Sequence, residues 1–481
     1  MSGPLFSRPI PRRCFLQWGG AAVAASAVPA RLLTAVQDLA AGMPARGPGS
    51  LPFPTRPAGV PQPDLAPELA NIDHIIVVMM ENHSFDNYFG MLPFEVRQLR
   101  HRVNGWPSLD ATGTPRTAVP QRDAGGAVHT PFAMPDGCQP GAVSQAWDAS
   151  HQAYDGGAMD GFVLGSSPSA LGYWDQRLMP FYYSLASSFP VCDSYFSSTL
   201  CQTYPNRLFL MAGTAAGLVS TDTPPPTVTP KNGHIFQVLD HFAISWGDYY
   251  TNLPTPGLFG ATWAAQQSGT HLFGPGGLPQ TTIDTFAAKC RTGLLESVVL
   301  VEPDYEFGSE ENPQNVQVGQ TFVAGVVNAL MSSPAWQRSL LVFTYDEHGG
   351  YYDHVAPPAA LNPGDGTYPG RGYSPPRSIN TYGDDYTRYG FRVPAVVVSP
   401  YARAGFTSHT TYDHTSILAT IQRKWNLPAL TYRDANANHL GECLVSHGAA
   451  PFGAPPALAA APFRTEADTV LCETTGSDPN P

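Results

Sequence analysis

Three short polar clusters each follow an apolar run, and they carry the residue types that metal-assisted chemistry requires. Glu81-Asn82-His83-Ser84 follows Ile75-Ile76-Val77-Val78-Met79-Met80. Asp346-Glu347-His348-Gly349-Gly350, with Asp353-His354 close behind, follows the run at 340–345. Ser399, then Ser408-His409 and Asp413-His414-Thr415, follow the run at 393–399. Glu81, Asn82, Asp346 and Glu347 would present oxygens, which suit a hard or borderline divalent ion. Separate segments that bring carboxylates and imidazoles to one place point to a metal-assisted site. The competing use of Glu81 and Asp346 is helix capping or pairing with arginine. His83 reads as packing or support beside a ligand, and Ser84 as a helix cap for the turn that follows.

Continuous apolar runs of this length are the mark of strands buried on both faces of a parallel sheet. They recur at 297–301, 340–345 and 393–399, with helical patterns between them at 318–330 and 416–425. In the second helix Ile417, Leu418, Ile421 and Trp425 share one face. Strands alternating with helices predict an α/β/α sandwich with a mostly parallel central sheet, whose active groups gather at the carboxyl edge. Two Gly/Pro/Tyr-rich stretches, 251–280 and 357–390, read as elaborated loops or lids. The expected organisation is a signal and processing region at 1–41, a Pro-rich linker or arm at 42–70, a catalytic domain at 71–447 and a tail at 448–481 that wraps the surface.

Charged residues make up 13% of the 481-residue chain, hydrophobic ones 43%, and the formal net charge is -12. The apolar content argues against disorder. No basic block is longer than Arg12-Arg13, so nucleic acid is excluded as a partner class. That arginine pair precedes a short, mild apolar run from about Trp18 to Ala30, the pattern of a twin-arginine export signal. The expected partner is therefore the twin-arginine export machinery, and the expected location periplasmic or secreted. The run is too short to span a bilayer comfortably and no later stretch reaches about 18 apolar residues, so no stable membrane insertion is expected. Beyond Cys14 the cysteines are Cys138, Cys192, Cys201, Cys290, Cys443 and Cys472. An even number fits disulfides in an exported protein, with Cys192–Cys201 and Cys443–Cys472 as the local candidates. The lack of CxxC spacing argues against a thiolate metal site.

Five ordered blocks resemble the bacterial phospholipase C and acid phosphatase family of phosphoesterases. They are Glu81-Asn82-His83-Ser84-Phe85-Asp86-Asn87-Tyr88-Phe89-Gly90, Gly157-Ala158-Met159-Asp160-Gly161-Phe162, Thr203-Tyr204-Pro205-Asn206-Arg207, the block from Thr344 to His354, and that from Ser408 to Ser416. The resemblance spans about 72–425 and implies an alkaline-phosphatase-like core. It implies one divalent metal (Ca, Mg, Mn, Zn or Fe) held by Glu81, Asn82, Asp346 and Glu347 together with Thr203. Thr203 would be the nucleophile, forming a phosphothreonine intermediate, because a cation can lower the pKa of an otherwise inert hydroxyl. Arg207 would grip a phosphate oxygen or fix its loop.

The departures from the family pattern are Gln145 and Asn312, which stand where members usually carry histidines. Neither can supply an exchangeable acid proton. His151, His354, His348, His409 and His414 are the nearby replacements, with His354 and His151 as catalytic candidates and Gln145, Asn312, His409 and His414 as substrate-binding ones. Tyr382, Tyr386 and Tyr389 either line a pocket for a choline-like cation or simply pack their loop. The short stretch beyond Trp425 fits a phosphatase-like or non-haemolytic member. The expected activity is hydrolysis of a small-molecule phosphomonoester or of a phosphodiester such as a lipid headgroup. The alternatives are the same metal site diverged to a non-phosphate ester, or a non-catalytic surface protein stapled by metal.

Overall fold

The computed structural model describes residues 46–139, 141, 143–221, 227–370 and 382–477. The segment expected to be an export signal, with Arg12-Arg13, lies outside them. An eight-stranded sheet runs through the middle. In chain order its strands are β1 (His74–Met80), β2 (Val191–Cys192), β3 (Trp246–Tyr250), β4 (Leu272–Phe273), β5 (Val298–Glu302), β6 (Ser339–Tyr345), β7 (Ala395–Val398) and β8 (Thr407–Ser408). Their spatial order is β4-β3-β5-β1-β6-β7-β2-β8. All neighbours are parallel except β7, which runs antiparallel to β6 and to β2.

The helices used below are α1 (Phe85–Phe89), α2 (Trp147–Tyr154), α3 (Pro180–Ser188), α4 (Thr203–Ala212), α5 (Pro279–Thr292), α6 (Val316–Met331), α7 (His414–Trp425) and α8 (Glu466–Thr475). Val77, Val298 and Leu300 on one sheet face meet Leu210 and Met211 of α4 and Ile417 and Ile421 of α7. Phe343 is one residue out of phase with Val342, the register partner of Val77, so it points to the other face, where it packs against Tyr182 of α3. Helices α3, α5 and α6 cover that side. Period-2 alternation on strands apolar throughout thus feeds two helical layers, as the α/β/α expectation requires.

The stretch 251–280 is not one loop: it holds a 3-10 turn (Thr255–Phe259), a helix (Ala261–Gln267) and β4. The proline-rich arm packs on the body, where Gly49 N–H donates to Ala429 O and Ala429 N–H to Ser50 O. The tail forms α8, and Thr469 on it donates to Phe307 O.

The local disulfide pairings do not form. Cys138 is bonded to Cys472, 334 residues away, which ties α8 to the body. Cys192 instead faces Cys443 with the sulfurs 3.8 Å apart, both free thiols, while Cys201 is buried with Trp147, Phe209 and Tyr386. Sequence proximity does not decide the pairing because packing brings Cys192 beside Cys443 and Cys472 beside Cys138. Among the described residues no helix is long and apolar enough to cross a membrane.

Candidate active site at the carboxyl edge

Strands β1 and β6 are in parallel register from His74↔Ser339 to Met80↔Tyr345, so the residues that follow, Glu81-Asn82 and Asp346-Glu347, emerge side by side. Asp346 N–H donates to Met80 O at 3.0 Å. Asp346 Oδ1 accepts from Asn82 N at 3.2 Å and from Glu347 N at 2.7 Å. Glu81, Asn82, Asp346 and Glu347 are all buried. Asn82 sits at φ 73, in the left-handed region that Asn tolerates better than most residues. Gly349 is pressed against it, so that a Cβ at 349 would lie 1.8 Å from Asn82 O. A Cβ on Gly350 would meet the backbone of Ser144 at 2.6 Å, which places the chain next to Gln145 against the same turn.

Helix α4 delivers Thr203 as its first residue. One turn later on the same face, Arg207 donates from Nε to Asp346 Oδ2 at 3.1 Å and from Nη2 to Met79 O and Met80 O. Arg207 Nη1 also donates to Tyr305 OH at 2.7 Å. Arg207 is therefore committed to fixing α4 onto the β1–β6 edge rather than free to grip a phosphate oxygen. The same contacts make Asp346 an arginine partner as well as a ligand candidate. Its second oxygen is shared, not lost, since a carboxylate has about four lone-pair directions.

Several oxygens of this cluster have no hydrogen-bond partner, Glu81 Oε2, Asn82 Oδ1 and Glu347 Oε1, while the Asn82 amide nitrogen faces the Glu311 carboxyl. Burial pushes the Glu81 carboxyl well above the usual range, and repulsion from Glu311 adds to it, with Arg207 opposing. Glu347 rises for the same reasons, burial first and Asp346 second. Asp346 is raised by burial against the pull of Arg207. Unpaired buried oxygens amid concentrated negative charge are a costly arrangement unless a cation pairs them. Oxygen-only donors of this kind fit a divalent ion.

Glu311 belongs to none of the sequence motifs. It is half-buried, and its carboxyl is pushed up to about 7 by burial and by Asp346. The available signal was its place beside Asn312-Pro313, in a Glu-Glu pair among few charges.

The candidate histidines scatter. His414, the first residue of α7, is buried and its Nε2 donates to Asp346 O at 2.6 Å, so it braces the Asp346 backbone. Burial holds it down at about 4, hence neutral. His348 is likewise buried and held at about 3, with Nδ1 3.1 Å from Glu347 Oε2. His354 has Nδ1 2.6 Å from Asp86 Oδ2 and Nε2 3.2 Å from Asn104 Oδ1. Asp86, Asp353 and His354 approach within 4.8 Å of one another, close enough to hold a metal ion, but Arg392 already fills that space as cation. It donates to Asp86 Oδ1 and to both oxygens of Asp353. His151 on α2 lies between Trp147 O and Asp384 Oδ2 and stacks on Tyr382. His409 is exposed and leans on Asp193. Asn312 Nδ2 reaches Tyr351 OH at 3.4 Å, just beyond the Asp346–Gly350 turn.

Tyr386 and Tyr389 resolve in favour of packing. Tyr386 is buried and donates to Leu218 O, and Tyr389 already carries Arg433 over its ring at 4.6 Å. Tyr382 alone of the three is exposed.

A buried network supports the turn that carries Glu311. His83 is stacked between Tyr88 and Tyr351 and lies 3.1 Å from Glu310 O. Tyr88, Tyr182 and Tyr345 all donate to the Glu310 carboxyl. Burial outweighs those donors and raises Glu310 from 4.5 to about 8. The folded chain thus holds a proton that the unfolded chain releases. Stability present at acid pH is lost as pH rises from about 4.5 to about 8. Urea unfolding at pH 5 to 8 should show this loss in the wild type, by up to about 1.4 kcal/mol per pH unit relative to Glu310→Gln. Parallel pH slopes in the two proteins would mean that Glu310 does not titrate there.

The phosphoesterase family model matches residues 72–428. Phospholipase C B of Mycobacterium tuberculosis is 31% identical over 424 residues, covering 77% of each chain. Non-specific phospholipase C6 of Arabidopsis thaliana is 31% identical over 79% of this chain and 73% of its own. A protein of the alkaline phosphatase superfamily from Vibrio parahaemolyticus matches 74% of this chain and 79% of its own at 10% identity, with a TM-score of 0.36. The family match and these relatives make the chain a hydrolase of ester bonds, on a mostly parallel sheet whose carboxyl edge is rich in carboxylates. Within that class, the chain belongs to the phosphoesterase family.

Proposed function

We propose that the chain hydrolyses a phosphodiester of a lipid headgroup, with a divalent metal held by Glu81, Asn82, Thr203, Asp346 and Glu347. The observation that carries this reading is that buried Glu81, Asn82 and Glu347 atoms without hydrogen-bond partners stand directly after β1 and β6, at the edge where Arg207 pins α4. The phospholipase C names of the relatives favour the lipid diester over a monoester. When bound, the metal would lower the Thr203 hydroxyl pKa and offset charge on the phosphoryl oxygens. Thr203 gives up its hydroxyl proton to water and its Oγ attacks phosphorus in line; the bond from phosphorus to the diacylglycerol oxygen breaks, and that oxygen takes a proton from water. Water then cleaves the phosphothreonine, releasing the phosphorylated headgroup. The N-terminus of α4 favours the anionic group at Thr203.

Export by the twin-arginine route is part of the proposal, supported by Arg12-Arg13 and by a Cys138–Cys472 disulfide that suits an oxidising compartment. A non-phosphate ester is the second reading, favoured by Gln145 and Asn312.

The test uses mature protein with p-nitrophenylphosphorylcholine and p-nitrophenyl phosphate, before and after chelation. We expect diester turnover that falls by at least about 10²-fold on chelation and returns with one of Ca, Mg, Mn, Zn or Fe. Undiminished turnover in protein shown to be metal-free would sink the metal assignment. Stoichiometric metal without cleavage of either ester would favour the second reading.

A further inference from the structure

Two exposed leucines mark the tips of neighbouring loops on the catalytic side of the sheet. Leu253, after β3, is 55% exposed and Leu278, after β4, is 56% exposed. Strands β3 and β4 are parallel, so both loops leave from the carboxyl edge that also carries Glu81 and Asp346. The loops are joined side by side, Gly276 N–H donating to Tyr250 O at 3.1 Å and Gly277 N–H to Thr251 O at 3.0 Å. Pro275 is exposed between them.

This rim is fastened to the scaffold of the site. Asn252 Nδ2 donates to Asp304 Oδ1, and Thr255 N–H donates to Glu302 Oε2. Tyr305, whose N–H donates to Asn252 Oδ1, accepts at its hydroxyl from Arg207, the residue that holds Asp346. Leu294, 67% exposed, lies just before β5 at the opposite edge and belongs to no such rim.

The composition is equally uneven. From Tyr249 to Ile283 there is no Asp, Glu, Lys or Arg, in a chain that is 13% charged and carries a net charge of -12. Small aliphatic tips free of charge can enter the headgroup–acyl boundary at little desolvation cost. They offer too little area for a stable dimer, which buries roughly 1,200 Å² or more. The acidic chain, with no lysine or arginine in the rim, would be repelled by an anionic surface and not by a zwitterionic one.

We propose that the paired loop tips bearing Leu253, Pro275 and Leu278 are a lipid-contact rim that seats the protein on a zwitterionic phospholipid surface beside the carboxyl-edge site. The inference rests on the lipid-headgroup reading above and deepens it. Contact is reversible, since two half-exposed leucines supply only a modest transfer energy.

The test is co-sedimentation with phosphatidylcholine vesicles, comparing wild type with Leu253→Asp/Leu278→Asp and with the milder Leu253→Ser/Leu278→Ser. The expected result is binding by the wild type and a partition at least about tenfold weaker in both variants. Unchanged melting temperature, and unchanged turnover of p-nitrophenylphosphorylcholine where the wild type has it, shows that the variants are folded. A wild type that does not sediment, or variants that partition like it, would overturn the rim. So would a wild-type dimer that the variants lose in ultracentrifugation, which would make a second copy the occupant. Leucine-dependent binding without ester turnover upholds the rim while the proposed function fails. Turnover without binding does the reverse.

Discussion

Thr203→Ala should lose about 10³-fold or more of ester turnover while keeping its fold and most of its metal. The size follows from removing the attacking atom, since loss of a nucleophile leaves only what binding and charge stabilisation contribute. The fold should survive because Thr203 is the first residue of α4 and not its cap, and Ala is the best helix former. A metal at the proposed site should be retained because Glu81-Asn82 and Asp346-Glu347 directly follow β1 and β6 and do not depend on that hydroxyl. Thr203→Ser restores a hydroxyl and should recover a substantial part of the rate. Turnover and metal content measured on one sample separate the possibilities. Full activity in the Ala variant would remove Thr203 as nucleophile, whereas joint loss of activity and metal would make it chiefly a ligand.

The second large effect is expected at Gly349, through shape rather than chemistry. Its φ is +66°, and an added Cβ would fall 1.8 Å from Asn82 O and 3.0 Å from Asn82 Cα. Asn82 is itself held in the left-handed region, so it has little freedom to retreat. The backbone conformation alone costs about 1 to 2 kcal/mol in an L-residue, and the overlap adds about 1 to 3 kcal/mol. Gly349→Ala should therefore destabilise the protein by about 3 kcal/mol and cut turnover about 10²-fold, because it displaces Asn82, a residue of the proposed metal site, by about an ångström. Gly113→Ala is the control: φ there is +87°, with nothing within 4 Å of the added Cβ. Melting temperatures of the two variants decide the matter. Equal losses would show that φ alone, and not the contact with Asn82, sets the cost.

The main elements of the fold were legible because their signals are local. The run at 75–80 became β1, and those at 297–301, 340–345 and 393–399 became β5, β6 and β7, displaced by a residue or two at their ends. Helices α6 and α7 likewise contain the predicted stretches 318–330 and 416–425. Strand β3 was not legible: Trp-Gly-Asp-Tyr-Tyr alternates nothing, and its Asp248 is wholly buried. Strands β2 and β8 have two residues each and exist only through their neighbours. The antiparallel course of β7 also left no mark, because an apolar run buried on both faces reads the same in either direction.

For the site, the sequence determined which residues stand directly after which strands. That fixes Glu81-Asn82 and Asp346-Glu347 at one edge once β1 and β6 pair, and the resemblance added Thr203. Only the tertiary structure decided partners. Arg207 chose Asp346, Arg392 entered the Asp86–Asp353–His354 group, His414 met the Asp346 backbone, and Cys138 found Cys472. It also brought Glu311 to the carboxylate cluster. The reason is physical. A strand or turn is selected by side chains within a few residues, whereas a buried charge or thiol is paired by whatever packing brings within a few ångströms, and that distance is not written along the chain.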